Sequence, residues 1–238
     1  MKRATLLAIL LLTSVLAFGQ KFQDVTAKGS PVSLSVKADI PGMRSVIVTT
    51  SNLEGNHIQG EVTEVPGLIS YVAVHNNSSK GVVALVAVTR TTDALGHVLP
   101  GRSTMDYAFK NGVLAPQEDR IVMPIDAADP DSTVKQVEGA VLFLQFDDGS
   151  TWGDPEAAKE MLAARPQKLA FLTRLVETYN QSGEAAFTAA LNDPTLGRPE
   201  RSVAGCLKGD AEHEKIATIE LAKKRFAAAL QWRALGIL

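Results

Sequence analysis

The sequence predicts an α+β chain: an antiparallel β-sandwich over residues 29–153, then an α-helical region over 154–238 packed against it. Three observations carry that expectation. Apolar residues alternate with period two through the front half and switch to helical spacing after Asp154. The apolar run from Gly139 to Phe146 meets Asp147-Asp148-Gly149, a tight-turn sequence, and a helix start at Asp154-Pro155-Glu156 follows almost at once. A composition of 45% hydrophobic and 21% charged residues is that of a globular chain able to bury a core.

The elements follow in order. Lys2 and Arg3 precede a short apolar run, Leu6 to Leu12 and Val15 to Phe18, and Ala17-Phe18-Gly19 puts small residues at the cleavage positions. Residues 1–19 therefore read as a secretory signal peptide cut before Gln20, too short to serve as a span. No cysteine lies there to take a lipid, and no later run is long enough to cross a membrane. The expected location is periplasmic or extracellular.

Val32, Leu34, Val36 and Ala38 alternate with polar neighbours as a half-buried strand does. Pro41-Gly42 reads as a turn, Arg44 to Thr50 as a β-branched strand, Asn52 to Gly60 as a loop and Glu61 to Val65 as a short strand before Pro66-Gly67. Leu68 to His75 and Val82 to Thr89 flank the polar turn Asn76 to Gly81. Ser103 to Lys110, Asp119 to Ile125 and Val137 to Asp147 are further strands, and Ser150 to Trp152 pairs back across Asp148-Gly149. Short strands spaced by turns are the pattern of an immunoglobulin-like sandwich, here without its Cys…Trp…Cys signature.

In the back half, Asp154 caps a helix with Pro155 at its first position, running to about Ala164. A second helix spans Gln167 to Gln181 and stops at Ser182-Gly183, and a short third covers Glu184 to Leu191. Asn192 to Pro199 reads as a linker. A last helix, Asp210 to Leu235, puts Ile216, Ile219, Phe226 and Leu230 on one side, with Lys215, Lys223, Lys224, Arg225 and Arg233 on a solvated face.

Residues 68–152 resemble the small immunoglobulin-like domains of uncharacterised exported bacterial proteins, the FxLYD-type and proteinase-inhibitor-like sandwiches. The resemblance rests on the strand into Asn76-Asn77-Ser78-Ser79-Lys80, the strand Val82 to Val88, Thr92-Asp93 with Gly96, Leu114-Ala115-Pro116, and the closing Phe146 to Trp152. The chain departs from it where Thr89 to Asp93 replaces the aromatic F-x-L-Y-D run, and where Gln117 stands in a usual Pro-Gly turn. The resemblance implies a binding or spacer module rather than a reaction.

Few residues point to chemistry. His57, His75, His97 and His213 lack metal-ligand spacing. The acidic residues Asp147, Asp148 and Asp154 invite a calcium reading, as do Asp126, Asp129 and Asp131. Turn and cap chemistry explains the first three more simply, and the closing bidentate Glu of an EF-hand is missing. Glu61 and Glu64 read as a solvated pair. No G-x-S-x-G elbow or phosphate loop is present, and no cofactor is implied. Asn76 and Asn180 sit in glycosylation sequons. The lone Cys206 excludes an intrachain disulfide and reads as a packed apolar residue between Val203 and Leu207. Trp152, at the β/α junction, reads as an interdomain anchor.

The net charge of -2 gives no footprint for nucleic acid. The expected function is that of an exported, non-enzymatic protein that binds a protein partner or supports an envelope assembly. One alternative is a proteinase-inhibitor-like role for the Asn52 to Gly60 loop; another is a hydrolase with its site between the two halves.

Overall fold

The computed structural model describes residues 21–38, 45–54, 57–65, 70–109, 112–125 and 133–238, with the side chains of 38, 45–54 and 57–65 outside that description. The expected signal peptide, the expected turns at Pro41-Gly42 and Pro66-Gly67, and Asp126, Asp129 and Asp131 lie outside the described residues, as do the side chains of His57, Glu61 and Glu64.

The chain is α+β. Its strands are β1 (Lys21–Asp24), β2 (Val32–Ala38), β3 (Ser45–Glu54), β4 (His57–Val65), β5 (Ser70–Asn76), β6 (Val82–Asp93), β7 (Val98–Asp106), β8 (Asp119–Pro124), β9 (Val134–Phe146) and β10 (Thr151–Gly153). One sheet has the order β1-β9-β6-β7, with β10 also paired to β9; a second has the order β2-β5-β8; β3 and β4 form a hairpin. Pairing is not antiparallel throughout, as the sequence reading expected, because β1 runs parallel to β9 with Lys21 opposite Gln136. The chain then crosses to the other sheet through a short connection. Asp24 fastens the crossing by accepting the Thr26 amide at 2.9 Å and the Leu34 amide at 2.7 Å.

The two sheets share one apolar cluster. Val32 and Leu34 of β2 and Val72 and Val74 of β5 meet Leu85 and Ala87 of β6 and Val137, Val141 and Leu144 of β9. The opposite face of β6 and β9 is covered too: Ala84, Val86 and Phe143 pack against Ala158 and Met161 of the first helix. Burial on both faces explains why Val82 to Val88 reads as a continuous apolar run instead of an alternating one.

The Asp148-Gly149 hairpin forms as the sequence predicts, with Thr151 opposite Gln145 and Trp152 opposite Leu144. The expected Asn52 to Gly60 loop does not form. β3 continues to Glu54 and β4 starts at His57, so most of that segment is paired strand. Its polar composition resembles a loop, but the cross-strand ladder satisfies its backbone groups equally well.

The helices are α1 (Pro155–Ala163), α2 (Arg165–Leu191), α3 (Arg198–Glu214) and α4 (Thr218–Ala234). Asp154 caps α1 by accepting the Glu156 amide at 3.0 Å, with Pro155 in the first turn, as expected. α2 is broken where the sequence places a stop: Gly183 sits at φ 76°, ψ -170°, a region open almost only to glycine.

The last third differs from the sequence reading. Helix α3 starts within the expected linker, at Arg198, and the expected single helix 210–235 is interrupted where Lys215 turns left-handed at φ 55°. Gly205 and Gly209 dilute the helical signal of α3, and its burial carries the helix instead. The break re-phases α4, so Ile216 and Leu230 are exposed while Leu221, Ala222, Arg225 and Ala229 are buried. Arg225, expected on the solvated face, is 1% exposed and ion-paired to Asp210.

The helical cluster takes Phe171, Leu172 and Leu175 from α2, Val203 and Leu207 from α3, and Leu221 and Ala222 from α4. Val83, Ala108 and Phe109 of the β half enter the same cluster, so the halves pack on a common core. Among the described residues, no helix is long and apolar enough to cross a membrane.

Candidate functional site: a cleft between the sheet and the helices

The floor of the junction is polar and dry. β7 ends at Asp106, opposite Ala84 of β6, and a 3-10 turn, Tyr107–Phe109, follows it toward the helices. Arg165, in the first turn of α2, grips Asp106 with two bonds: Nη2 to Oδ1 at 3.0 Å and Nε to Oδ2 at 3.3 Å. Its Nη1 donates to the Gln145 side-chain oxygen and to the Ile237 carbonyl, each at 2.7 Å. One guanidinium thus ties together β7, β9, α2 and the segment after α4. The planar fork of arginine suits this fixed set of acceptors.

Lys168 stands one turn further along α2. Its Nζ reaches Asp106 Oδ2 at 3.2 Å and lies 5.4 Å from the centre of the Phe109 ring. The three side chains are largely out of water, with exposures of 5% for Arg165 and Asp106 and 13% for Lys168.

Above this floor opens a cleft of about 570 Å³. Its walls come from both halves: Arg102, Thr104 and Asp106 of β7 with Phe109, Glu160 and Met161 facing the α1 side, and Lys168, Arg198, Ser202, Val203 and Cys206 from α2 and α3. Arg102 is steered across the junction by donating to the Ala157 carbonyl of α1. Arg198 is exposed and makes no hydrogen bond or ion pair to the described residues. Next to it, Glu200 folds back to accept the Gly197 amide at 2.6 Å, closing the start of α3. The lining mixes apolar side chains with a few fixed polar groups.

Cys206 is half-buried and lines this cleft, where the sequence reading expected it packed away. Val203 and Leu207 take the fully buried positions of that helix face, leaving the thiol on the side that turns toward β7.

The residues singled out from sequence lie elsewhere. Asp147 Oδ2 accepts the Gly81 amide at 3.0 Å. Asp148 Oδ1 accepts from the Ser150 amide and hydroxyl, and its Oδ2 pairs with Lys80 Nζ at 2.6 Å. The Lys80 ammonium, aided by the Ser150 donors, holds the Asp148 carboxyl well below the usual carboxylate range. Asp154 serves as the α1 cap. These three carboxylates do three separate local jobs, and among the described residues no group of three His, Cys, Asp or Glu is placed to hold a metal ion.

Trp152 is half-buried and packs against the cluster shared by the two sheets. His75 pairs with Asp119 at 2.9 Å, and His97 with Asp93 at 3.2 Å, while His213 lies in the last turn of α3. Asn76 is fully buried and donates to the Lys80 and Leu114 carbonyls, so the folded chain withholds that sequon from a glycosylating enzyme.

Sequence reasoning missed Asp106, Arg165 and Lys168. The spacing of Arg165 and Lys168, three apart at a helix start, puts both on one face, and that is the signal that was legible. Their meeting with Asp106 is a product of tertiary structure. The chain matches no protein-family model, no curated protein and no solved structure.

Proposed function

We propose that this is an exported, non-enzymatic binding protein whose β half is an immunoglobulin-like module, and that it takes a protein partner in the cleft between its sheet and its helices. The single observation that carries this reading is the cleft itself, walled by both halves over a buried, hydrogen-bonded floor. A site fixed in this way spends little free energy on ordering its own groups when a ligand arrives. The Lys2-Arg3 and Ala17-Phe18-Gly19 pattern supports export.

Hydrolysis between the halves is the second reading, favoured by Ser202 and Cys206 in the cleft lining. Against it, Asp106 spends both oxygens on Arg165 and Lys168, and among the described residues no histidine lines the cleft to serve as a base.

The test plugs the cleft. Ser202 is exposed on α3, so Ser202→Trp fills space without disturbing the core. Tagged mature chain and the plugged variant are used to capture partners from the native envelope fraction. The reading expects a partner retained by the natural chain and lost by the variant; identical capture by both contradicts it.

A further inference from the structure

The charge balance of the cleft is uneven. Among the described residues its lining carries three cations, Arg102, Lys168 and Arg198, against two carboxylates, Asp106 and Glu160. From outside the lining Arg165 meets both Asp106 oxygens, so Lys168 shares its carboxylate partner with a second cation in a place that water hardly reaches. A largely desolvated cation that shares its counter-charge is incompletely compensated, and an arriving anion relieves that cost.

The hydrogen-bonding capacity left over is also of one kind. An ammonium has three donors and Lys168 spends one, on Asp106. Arg198 keeps all of its donors among the described residues, and Arg102 spends one on the Ala157 carbonyl. Asp106 already accepts three bonds, two from Arg165 and one from Lys168. The other carboxylate of the lining, Glu160, is exposed on α1. Beside these donors the lining is apolar at Ala157, Ala164 and Pro199, which are partly exposed, and at Phe109, Met161 and Val203, which are buried.

We infer that the cleft takes a carboxylate flanked by apolar groups, as a peptide with an acidic residue among leucines or phenylalanines presents it. Lys168 and Arg198 hold the carboxylate, and the apolar wall takes its neighbours. This rests on the cleft being the binding site, and it names what enters.

Acetyl-Leu-Leu-Glu-Phe amide is titrated into the mature chain and followed by backbone amide shifts, beside the same peptide with glutamine in place of glutamate. Shifts are expected at Thr104, Lys168 and Ser202. Charge-assisted hydrogen bonds are worth enough that roughly tenfold or more affinity should be lost with the glutamine peptide. A comparable loss is expected in Arg198→Gln, an exposed change that spares the fold, and added salt should weaken binding. Equal binding of the two peptides at the cleft overturns the carboxylate assignment while leaving the cleft a binding site. Absence of cleft shifts with the glutamate peptide overturns the assignment, and shifts confined to another surface overturn both readings. Acetate alone moving the same amides as tightly would also overturn it, since the apolar wall would then contribute nothing.

Discussion

At the junction, Arg165 spends its guanidinium on the Asp106 carboxylate, the Gln145 side-chain oxygen and the Ile237 carbonyl. Removing Arg165 leaves the Gln145 oxygen and the Ile237 carbonyl without this donor and Asp106 with Lys168 as its remaining cation. Arg165→Met should therefore cost about 3–5 kcal/mol in denaturant unfolding. The double change Arg165→Met with Asp106→Leu should cost less than the sum of the two singles, because it removes both charges at once. A strictly additive cycle would show that the pair does not act as a unit.

The Asp148 carboxylate makes a separate prediction. Its folded-state pKa is depressed by Lys80 and Ser150, so its stabilising effect is present above the unfolded pKa and is lost as pH falls through the folded one. Carboxyl NMR should find Asp148 still ionised where ordinary aspartates are half protonated, and Lys80→Met should move its midpoint back toward the model-peptide value. The acidity of this hairpin was legible in the sequence, but its meaning was local: the same aspartates that suggested a cation serve a turn, a lysine and a helix cap.

Elements were most legible where local signals and packing agree. Asp154-Pro155 starts α1 as read, and Ser182-Gly183 interrupts α2 as read. Gly183 adopts φ 76° with open space around it, so Gly183→Ala tests the backbone alone; it should cost roughly 1–3 kcal/mol, read by thermal unfolding. At Gly153, by contrast, a Cβ would stand 2.1 Å from the Leu142 carbonyl oxygen, with φ at 89°. Gly153→Ala should disrupt the β10–α1 corner more severely than the change at Gly183, losing amide protection in both β10 and the first turn of α1.

Helix α3 was not legible. Its stretch Arg198 to Glu214 contains two glycines inside, which intrinsic preference disfavours. Burial of Val203, Ala204, Leu207 and Ala211 against the other helices overrides that preference. The same override hides Arg225: a cation on a helix reads as solvated until a tertiary partner, here Asp210, is known. Both strands of the β3–β4 hairpin were legible in part, as Arg44 to Thr50 and Glu61 to Val65, but their ends within Asn52 to Gly60 were not, because those polar residues carry no alternation to read.

For the whole molecule, the sequence reading of a β half followed by an α half packed against it survives at the level of α+β architecture. Long-range features were beyond it, among them the parallel β1–β9 pair and the meeting of Asp106 with Arg165 across the junction. Val83, Ala108 and Phe109 lie in the helical cluster, and Met161 lies on the sheet. The halves should therefore unfold together, and calorimetry and circular dichroism should report one coincident transition. Two resolved transitions would mean that the junction is weaker than its buried contacts indicate.

The claim at the centre of the account is that the cleft between sheet and helices is where this protein binds. The most direct measurement is photo-crosslinking in the producing cell, with a photoreactive side chain at Ser202 in the cleft and, separately, at the exposed Gln231 of α4. A discrete protein adduct is expected from position 202 that vanishes when Arg198 is changed to glutamine, and none from 231. Adducts from 231 with none from 202 would contradict it.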